Sequence, residues 1–404
     1  MLIRILRALQ ELGLRSLSQY GLYSLALRSG YFRWRLPIRS WSQVDLSRHL
    51  RPSPVSDPNG DGPEQDPPPP HSIFHLDHSD HPVLQAQRGF TEREAEAVLK
   101  GRFRLFGLPE IQLGYPPDWH SFAPLAEASE AGRVDEQYHW SQYRLDQLPQ
   151  DVKLVWEPSR FGWVYPLAQA YSLTADDRYY EGFWTLYSSW IEANPPQVGL
   201  HWYSAQEVAI RLIALLFAAH TFGDALRQAP QRWTALLKGI VIHAERIPAS
   251  LSYARAQNNN HLLVECAALY LVGTCFPELR GSQGWKRLGR RGFETGLAMQ
   301  VFADGGYVQH SVNYQRLALQ MGILVVKAAQ DQNQPFPAST LTALGNMAQC
   351  LSALIGDQDG ATPNFGPNDG AMLLPLSACA FADYRPTVQA AWQLLWRKRR
   401  YPPG

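Results

Sequence analysis

Cysteine is scarce in this chain, and so is any excess of charge. The 404 residues hold four cysteines, Cys266, Cys275, Cys350 and Cys379, with no CxxC pair and no metal-ligand spacing. That excludes a disulfide scaffold and a cysteine-built zinc site, and the thiols read as buried. Lysine and arginine number 37 against 36 acidic residues, a formal net charge of +1. Proteins that bind nucleic acid through its phosphates carry a clear basic excess, so no nucleic-acid partner is expected. An unbroken apolar run long enough to span a bilayer is also missing. In the first 30 residues Arg4, Gln10, Glu11, Arg15 and Gln19 interrupt every apolar stretch, which makes a poor secretory signal and points to the cytoplasm. That segment reads as a basic amphipathic helix, with Leu2, Ile5, Leu6, Leu9 and Leu12 on one side. Packing on its own domain is favoured over membrane attachment.

What the chain does have is aromatic residues and helical periodicity. Its 13 Trp and 18 Tyr are compatible with a carbohydrate cleft, because aromatic faces stack on sugar rings, although any single Trp is better read as core. Three regions are expected: an N-terminal helical extension over 1–50, a linker over 51–85 and a helical domain over 86–398. Residues 51–71 read RPSPVSDPNGDGPEQDPPPPH, too densely punctuated for a helix or central strand. His71, His75, His78 and His81 follow at near-helical spacing, but beside a proline run they read as a solvated loop rather than metal ligands. From Leu154 onward apolar residues recur every three or four positions in 164–174, 179–193, 204–221, 232–247, 260–273, 283–302, 314–330, 339–355 and 376–396. The fold class is all-α, and a bundle, a solenoid and an α/α toroid all fit the periodicity.

Polar residues concentrate at a few places in this helical background. Asn258-Asn259-Asn260-His261 opens the apolar run LLVECAALYLVG. Asparagine is a favoured N-cap, so capping alone is the better reading of this motif in isolation. A helix N-terminus is also a ready anion site, and Asn and His side chains would add donors to it. The stretch DGGYVQHSVNYQR, residues 304–316, packs Gln309, His310, Ser311, Asn313, Tyr314 and Arg316 together, with Ser311 or Asn313 capping a helix that begins near Tyr314. Leu200-His201-Trp202 precedes Glu207 and Arg211, whose four-residue spacing predicts an ordinary helical ion pair. Trp156-Glu157-Pro158-Ser159-Arg160 is a similar charged and aromatic helix entry. The loop IGDQDGATPNFGPNDGA, residues 355–371, lacks both EF-hand spacing and a phosphate-loop ending, and reads as a structured loop lining a cleft.

NNNHLLVECAALYLVGTCFPE, FADGGYVQHSVNYQR and NFGPNDGAMLLPLS resemble successive motifs of the heparinase II/III-like family, which includes alginate and heparan lyases. GRFRLFGL at 101–108, VWEPSRF at 155–161 and HWYSAQEVAIR at 201–211 resemble the same family in the same order. The resemblance implies an incomplete α/α toroid, which in the family precedes an antiparallel β-sandwich. No complete sandwich is expected here, because the chain stops near where one would begin. The implied activity is β-elimination on a uronate-containing polysaccharide, with an acidic polysaccharide or oligosaccharide as partner and no metal or organic cofactor. By resemblance Asn260 and His261 are the pair that neutralises the uronate carboxylate, and Tyr314 is the base, the acid, or both. His201, Trp202, Glu207, Arg211, Arg160, Gln309 and Arg316 are the expected substrate-binding residues. Gln309-His310 and Gln315 depart from the family, which often has Glu-Gln before the serine and His after the tyrosine. The resemblance also implies the periplasm or cell envelope, against the cytoplasmic reading of the N-terminus. A non-catalytic polysaccharide-binding or exopolysaccharide-assembly protein is the competing class. A glycoside hydrolase ranks last, because Glu157, Glu207, Asp304 and Asp359 form no convincing carboxylate pair in sequence.

Overall fold

Alternation between two helical layers governs this architecture. The computed structural model describes residues 2–52, 82–121, 137–375 and 377–402, without the side chains of 2–12 and 82–84. The N-terminal extension is α1 (Leu2–Arg28) followed by the short α2 (Tyr31–Arg35). The side chains that define the expected apolar face of α1, Leu2 to Leu12, lie outside the described residues. Next comes α3 (Pro82–Leu99), so helix replaces the last residues of the expected linker. Proline suits that start, because its missing N–H would be unpaired there anyway. The histidines from His71 to His81 lie outside the described residues. A small hairpin follows, β1 (Arg102–Arg104) antiparallel to β2 (Glu110–Gln112), with Phe103 opposite Ile111. These are the only strands among the described residues.

After the single turn α4 (Lys153–Trp156), helices α5 (Val164–Thr174) and α6 (Asp177–Ala193) form the first hairpin. Then come α7 (Ala205–Thr221), the short α8 (Gly223–Arg227), α9 (Pro230–Arg246) and α10 (Leu251–Gln257). The series ends with α11 (Asn260–Cys275), α12 (Ser282–Gln300), α13 (Val312–Asp331), α14 (Ala338–Leu354) and α15 (Arg385–Trp396). Within hairpins α5 packs on α6, α7 on α9, α11 on α12 and α13 on α14; across hairpins α5 packs on α7, α7 on α11 and α11 on α13. The inner layer is therefore α5, α7, α11 and α13, and the outer layer α6, α9, α12 and α14. An arc of helical hairpins of this kind is an incomplete α/α toroid.

Sequence explains which helix goes where. Every residue of α11 except His261 is buried, as are Ala205 to Ala219 of α7, because both are apolar around their whole circumference. Outer α12 instead buries one stripe, Gly289, Gly292, Phe293, Gly296, Leu297 and Gln300, and turns its arginines out. Small residues let α11 and α12 approach closely. A Cβ added at Gly289 would sit 2.5 Å from backbone atoms of Cys266 and Tyr270, and one at Gly273 would meet the Ser282 carbonyl at 2.4 Å. Cys266 and Cys275 are buried thiols as read, whereas Cys350 is half-buried and Cys379 is exposed.

The last helix corrects an expectation. It begins at Arg385, not at 376. Pro386 cannot sit inside a helix and disfavours helical geometry in the residue before it, so it marks a first turn. Asp383 accepts the Arg385 backbone N–H at 2.9 Å and holds that start.

Candidate active site

Four inner helices joined through outer ones all begin at the same end of the arc, and the polar motifs lie at those beginnings. The three asparagines divide the labour. Asn258 takes the left-handed conformation (φ 47°) that ends α10, and Asn259 caps α11 by accepting the His261 N–H at 3.0 Å. That leaves the side chains of Asn260 and His261 free of capping duty. Gln309 joins the second motif to the first, accepting the Asn260 N–H at 2.9 Å. The Leu262 N–H goes to the Asn259 carbonyl. The first N–H groups of α11 are thus already paired, so an anion at this end meets side chains and the helix dipole rather than bare backbone. Ser311, not Asn313, caps α13, accepting the Tyr314 N–H at 3.1 Å and starting the helix at Val312. Ser204 caps α7 and puts Glu207 in its first turn.

A buried charge network joins these ends. Arg160 donates to both oxygens of Glu207, at 2.7 and 2.8 Å, and also to Glu157. Glu157 in turn accepts the Phe106 N–H from the loop after β1. The hydrogen bonds to Glu207 come from Arg160, 47 residues earlier in the chain, and its helical neighbour Arg211 acts on it through its field. Glu157 and Glu207, which form no pair in sequence, do meet, but with Arg160 clamped between them. Burial raises Glu157, whereas the fields and hydrogen bonds of Arg160, with help from Arg211 and His261, outweigh burial at Glu207 and hold it low.

Tyr314 is half-buried on the first turn of α13 and donates its hydroxyl to Asp369 at 3.1 Å. Asp369 belongs to the Asn-Asp-Gly turn of the 355–371 loop and lies 3.5 Å from the Lys153 ammonium. Sequence reading missed Asp369 as a functional candidate; the signal available was its place in the third family motif. Ser311 fastens the loop from the other side by donating to the Pro367 carbonyl at 2.5 Å. Burial first, then the charge of Asp369 and its hydrogen bond, push the Tyr314 hydroxyl up to about 12, against a smaller opposing field from Arg160. Arg160 is therefore the cation acting on Tyr314. His261 feels Glu207, Arg160, Asp369 and Lys153, but burial dominates and lowers its imidazole to about 4. At neutral pH His261 is uncharged and Tyr314 is protonated.

Other expected contact residues sit inside the protein. His201, Trp202 and Arg211 are fully buried. The Arg211 guanidinium packs over the Trp190 and Trp202 rings, bonds His243 at 3.2 Å and donates to the His201 carbonyl. Arg316 is buried under Phe381 and Tyr384 and donates to Asn313 at 2.9 Å. At 1% exposure or less these four side chains present no surface to a polymer and hold the frame instead, whereas Asn260 keeps 4% and His261 is half-buried. Tertiary packing turned amphipathic residues inward where the sequence pattern read them as cleft.

The sequence profile described as "Heparinase II/III N-terminus" matches residues 119–372. The chain belongs to this family. Its relatives include the heparin-sulfate lyase of Bacteroides thetaiotaomicron, 25% identical over 45% of this chain and 29% of that protein. The heparin-sulfate lyase of Pedobacter heparinus is 27% identical over 54% of this chain and 33% of its own length. The chain thus spans about a third of the curated relatives it matches. A crystal structure of heparinase III shares the fold, with a TM-score of 0.54 and 16% identity over 83% of this chain and 48% of that one.

Two positions set this member of the heparinase II/III family apart from the pattern it resembles. Gln315 is buried and donates to the Gly305 and Met347 carbonyls at 3.0 and 3.2 Å, so it braces the turn before α13. His310 is exposed in the left-handed region (φ 48°) and stacks on Phe302. The Tyr314 hydroxyl bonds Asp369 and neither of these side chains. Beside the charge network lies a cavity of about 500 Å³, walled by Phe90, Phe103, Phe106, Trp163 and Phe381 and reaching Glu157 and Arg160. Tyr314, Asn260 and His261 are not in its lining. Among the described residues no three His, Cys, Asp or Glu side chains form a metal-binding group.

Proposed function

We propose that this chain acts as a polysaccharide lyase on an acidic, uronate-containing polysaccharide, by β-elimination. The observation that carries the proposal is the gathering of Tyr314, His261 and Asn260 at adjoining inner-helix ends, with opposite protonation demands met at neutral pH. Family membership and heparin-sulfate lyase relatives support the same chemistry.

Elimination removes the proton on the carbon next to the carboxylate; that C–H pair becomes the new double bond, and the bond to the 4-linked oxygen breaks. The carboxylate must be neutralised while a second negative charge develops on it. Asn260 donates to that group, and the positive end of the α11 dipole lies behind it. His261 is neutral, lowered to about 4 by burial, and a substrate carboxylate beside it raises its proton affinity, so it is the group that accepts the carbon's proton. Tyr314, held protonated by burial and by Asp369, delivers its proton to the departing sugar oxygen. Base work by Tyr314 would first require its hydroxyl to ionise against the charge of Asp369.

The test is ultraviolet absorbance of the unsaturated product during incubation with heparan sulfate and alginate. Wild type is expected to generate it on at least one uronate polymer. Tyr314→Phe and Asn260→Ala are expected to lose about 10²–10⁴-fold in rate. Silence of the wild type on every uronate polymer would sink the lyase reading.

A further inference from the structure

Over its described side chains, from Gly13 to Arg28, the N-terminal helix packs by one side. Tyr23 is buried there and stacks on Tyr253 at 4.6 Å, and α1 lies along α10. Its opposite side carries Leu14, Leu22 and Leu25, spaced eight and three residues apart, which puts them on one helical face. They are 75%, 59% and 66% exposed. The apolar strip continues past the helix end through Tyr31 and Trp34, whose rings lie 5.9 Å apart, to Ile38; Trp34 is 76% exposed. A soluble surface scatters such residues singly and does not line them up.

Charge along the same strip has one sign. Between Leu12 and Val44 there is no acidic residue, while Arg15, Arg28, Arg33, Arg35 and Arg39 are all present and exposed. The chain as a whole is +1, so these five charges stand against −4 over the remainder. Exposed leucines, a tryptophan and a tyrosine beside arginines without acidic neighbours match the chemistry of an anionic bilayer surface. There the rings and aliphatic groups enter the headgroup boundary and guanidiniums pair with phosphates. No helix among the described residues is long and apolar enough to cross a membrane, so the contact is with the surface.

We propose that the outer face of α1, continued through Tyr31, Trp34 and Ile38, is a docking surface for an anionic lipid membrane. Sequence periodicity alone favoured packing on the domain; the structure has α1 do that with one face and leave the other exposed. The surface does not depend on the lyase reading.

Co-sedimentation of the full chain with phosphatidylcholine vesicles, with and without phosphatidylglycerol, tests it. Binding is expected only with phosphatidylglycerol, weakening as salt rises. Arg28→Glu, Arg33→Glu, Arg35→Glu and Arg39→Glu combined should weaken it at least about a hundredfold, at roughly fivefold per lost cation. Leu22→Ser, Leu25→Ser and Trp34→Ser combined should abolish it at any salt. Circular dichroism of each variant, matching wild type, shows that the fold is kept. Absence of vesicle binding by the folded wild type overturns the proposal, as does unchanged binding by both variants. Equally, it is overturned if those substitutions abolish binding to heparin with vesicle binding intact, or if wild type forms a dimer that the serine variants dissolve.

Discussion

Replacing Arg160 with glutamine tests whether the charge network holds the site together. Arg160 sits between Glu157 and Glu207, with side chains only 11%, 12% and 3% exposed. Removing the cation leaves two carboxyl groups buried without their common partner, and breaking a buried pair in this way costs about 3–5 kcal/mol. Unfolding entropy of about 2.1 cal/mol/K per residue over 404 residues converts that to a fall of roughly 4–6 °C in melting temperature. The pH dependence has a definite sign. Without Arg160, both carboxyl pKa values rise above the unfolded value of ~4.3, so their protonated forms favour the fold. Stability from a raised pKa is full at low pH and is lost as pH rises through the folded value. The Arg160→Gln deficit should therefore be largest near neutrality and shrink towards pH 5. Adding Glu157→Gln removes one of the stranded carboxylates and should recover part of the loss, a non-additivity that a surface pair would not show. Differential scanning calorimetry of wild type, single and double variants over this pH range is the assay. A melting temperature within about a degree of wild type at neutral pH, or a deficit that ignores pH, refutes the reasoning.

Three further outcomes follow from the same structure. Asp369→Asn removes the charge at the Tyr314 hydroxyl but not the burial, so the phenol pKa should fall from about 12 while staying above ~10; carbon-13 NMR of ring-labelled tyrosine, assigned with Tyr314→Phe, reads the shift, and an unmoved signal contradicts the geometry. His261, lowered to about 4, is a histidine that costs stability when protonated, so it weakens the fold as pH falls from ~6.5 to about 4. His261→Gln should flatten the melting curve across that window, and an unchanged slope relative to wild type would show that the imidazole is not held neutral. Gly289→Ala drives a methyl group into the backbone of α11 at 2.5 Å and should destabilise by about 1–3 kcal/mol, measured by urea unfolding; a neutral effect would mean that α12 shifts freely.

Much of the helical frame was legible because a helix writes its burial into its own period. Residues 164–174 were bounded as the helix is, and α11 announced its central place by being apolar all round. The polar motifs were legible too, since caps such as Asn259 and Ser311 are local devices that act within three residues. The late start of α15 is local chemistry too, since Pro386 cuts an apolar pattern that runs back to 376.

By itself the sequence determined the order of helices, their caps, the family motifs and the presence of Asn260, His261 and Tyr314 at helix beginnings. Only the tertiary structure decided who meets whom. Glu207 takes its hydrogen bonds from Arg160 rather than from the helix neighbour four residues on, and Tyr314 met Asp369 across 55 residues. It also decided that His201, Trp202, Arg211 and Arg316 are frame, and that Leu14, Leu22 and Leu25 of α1 face outward. Periodicity reports one helix's faces, whereas a partner is set by how inner and outer helices stack, and burial then sets each group's proton affinity.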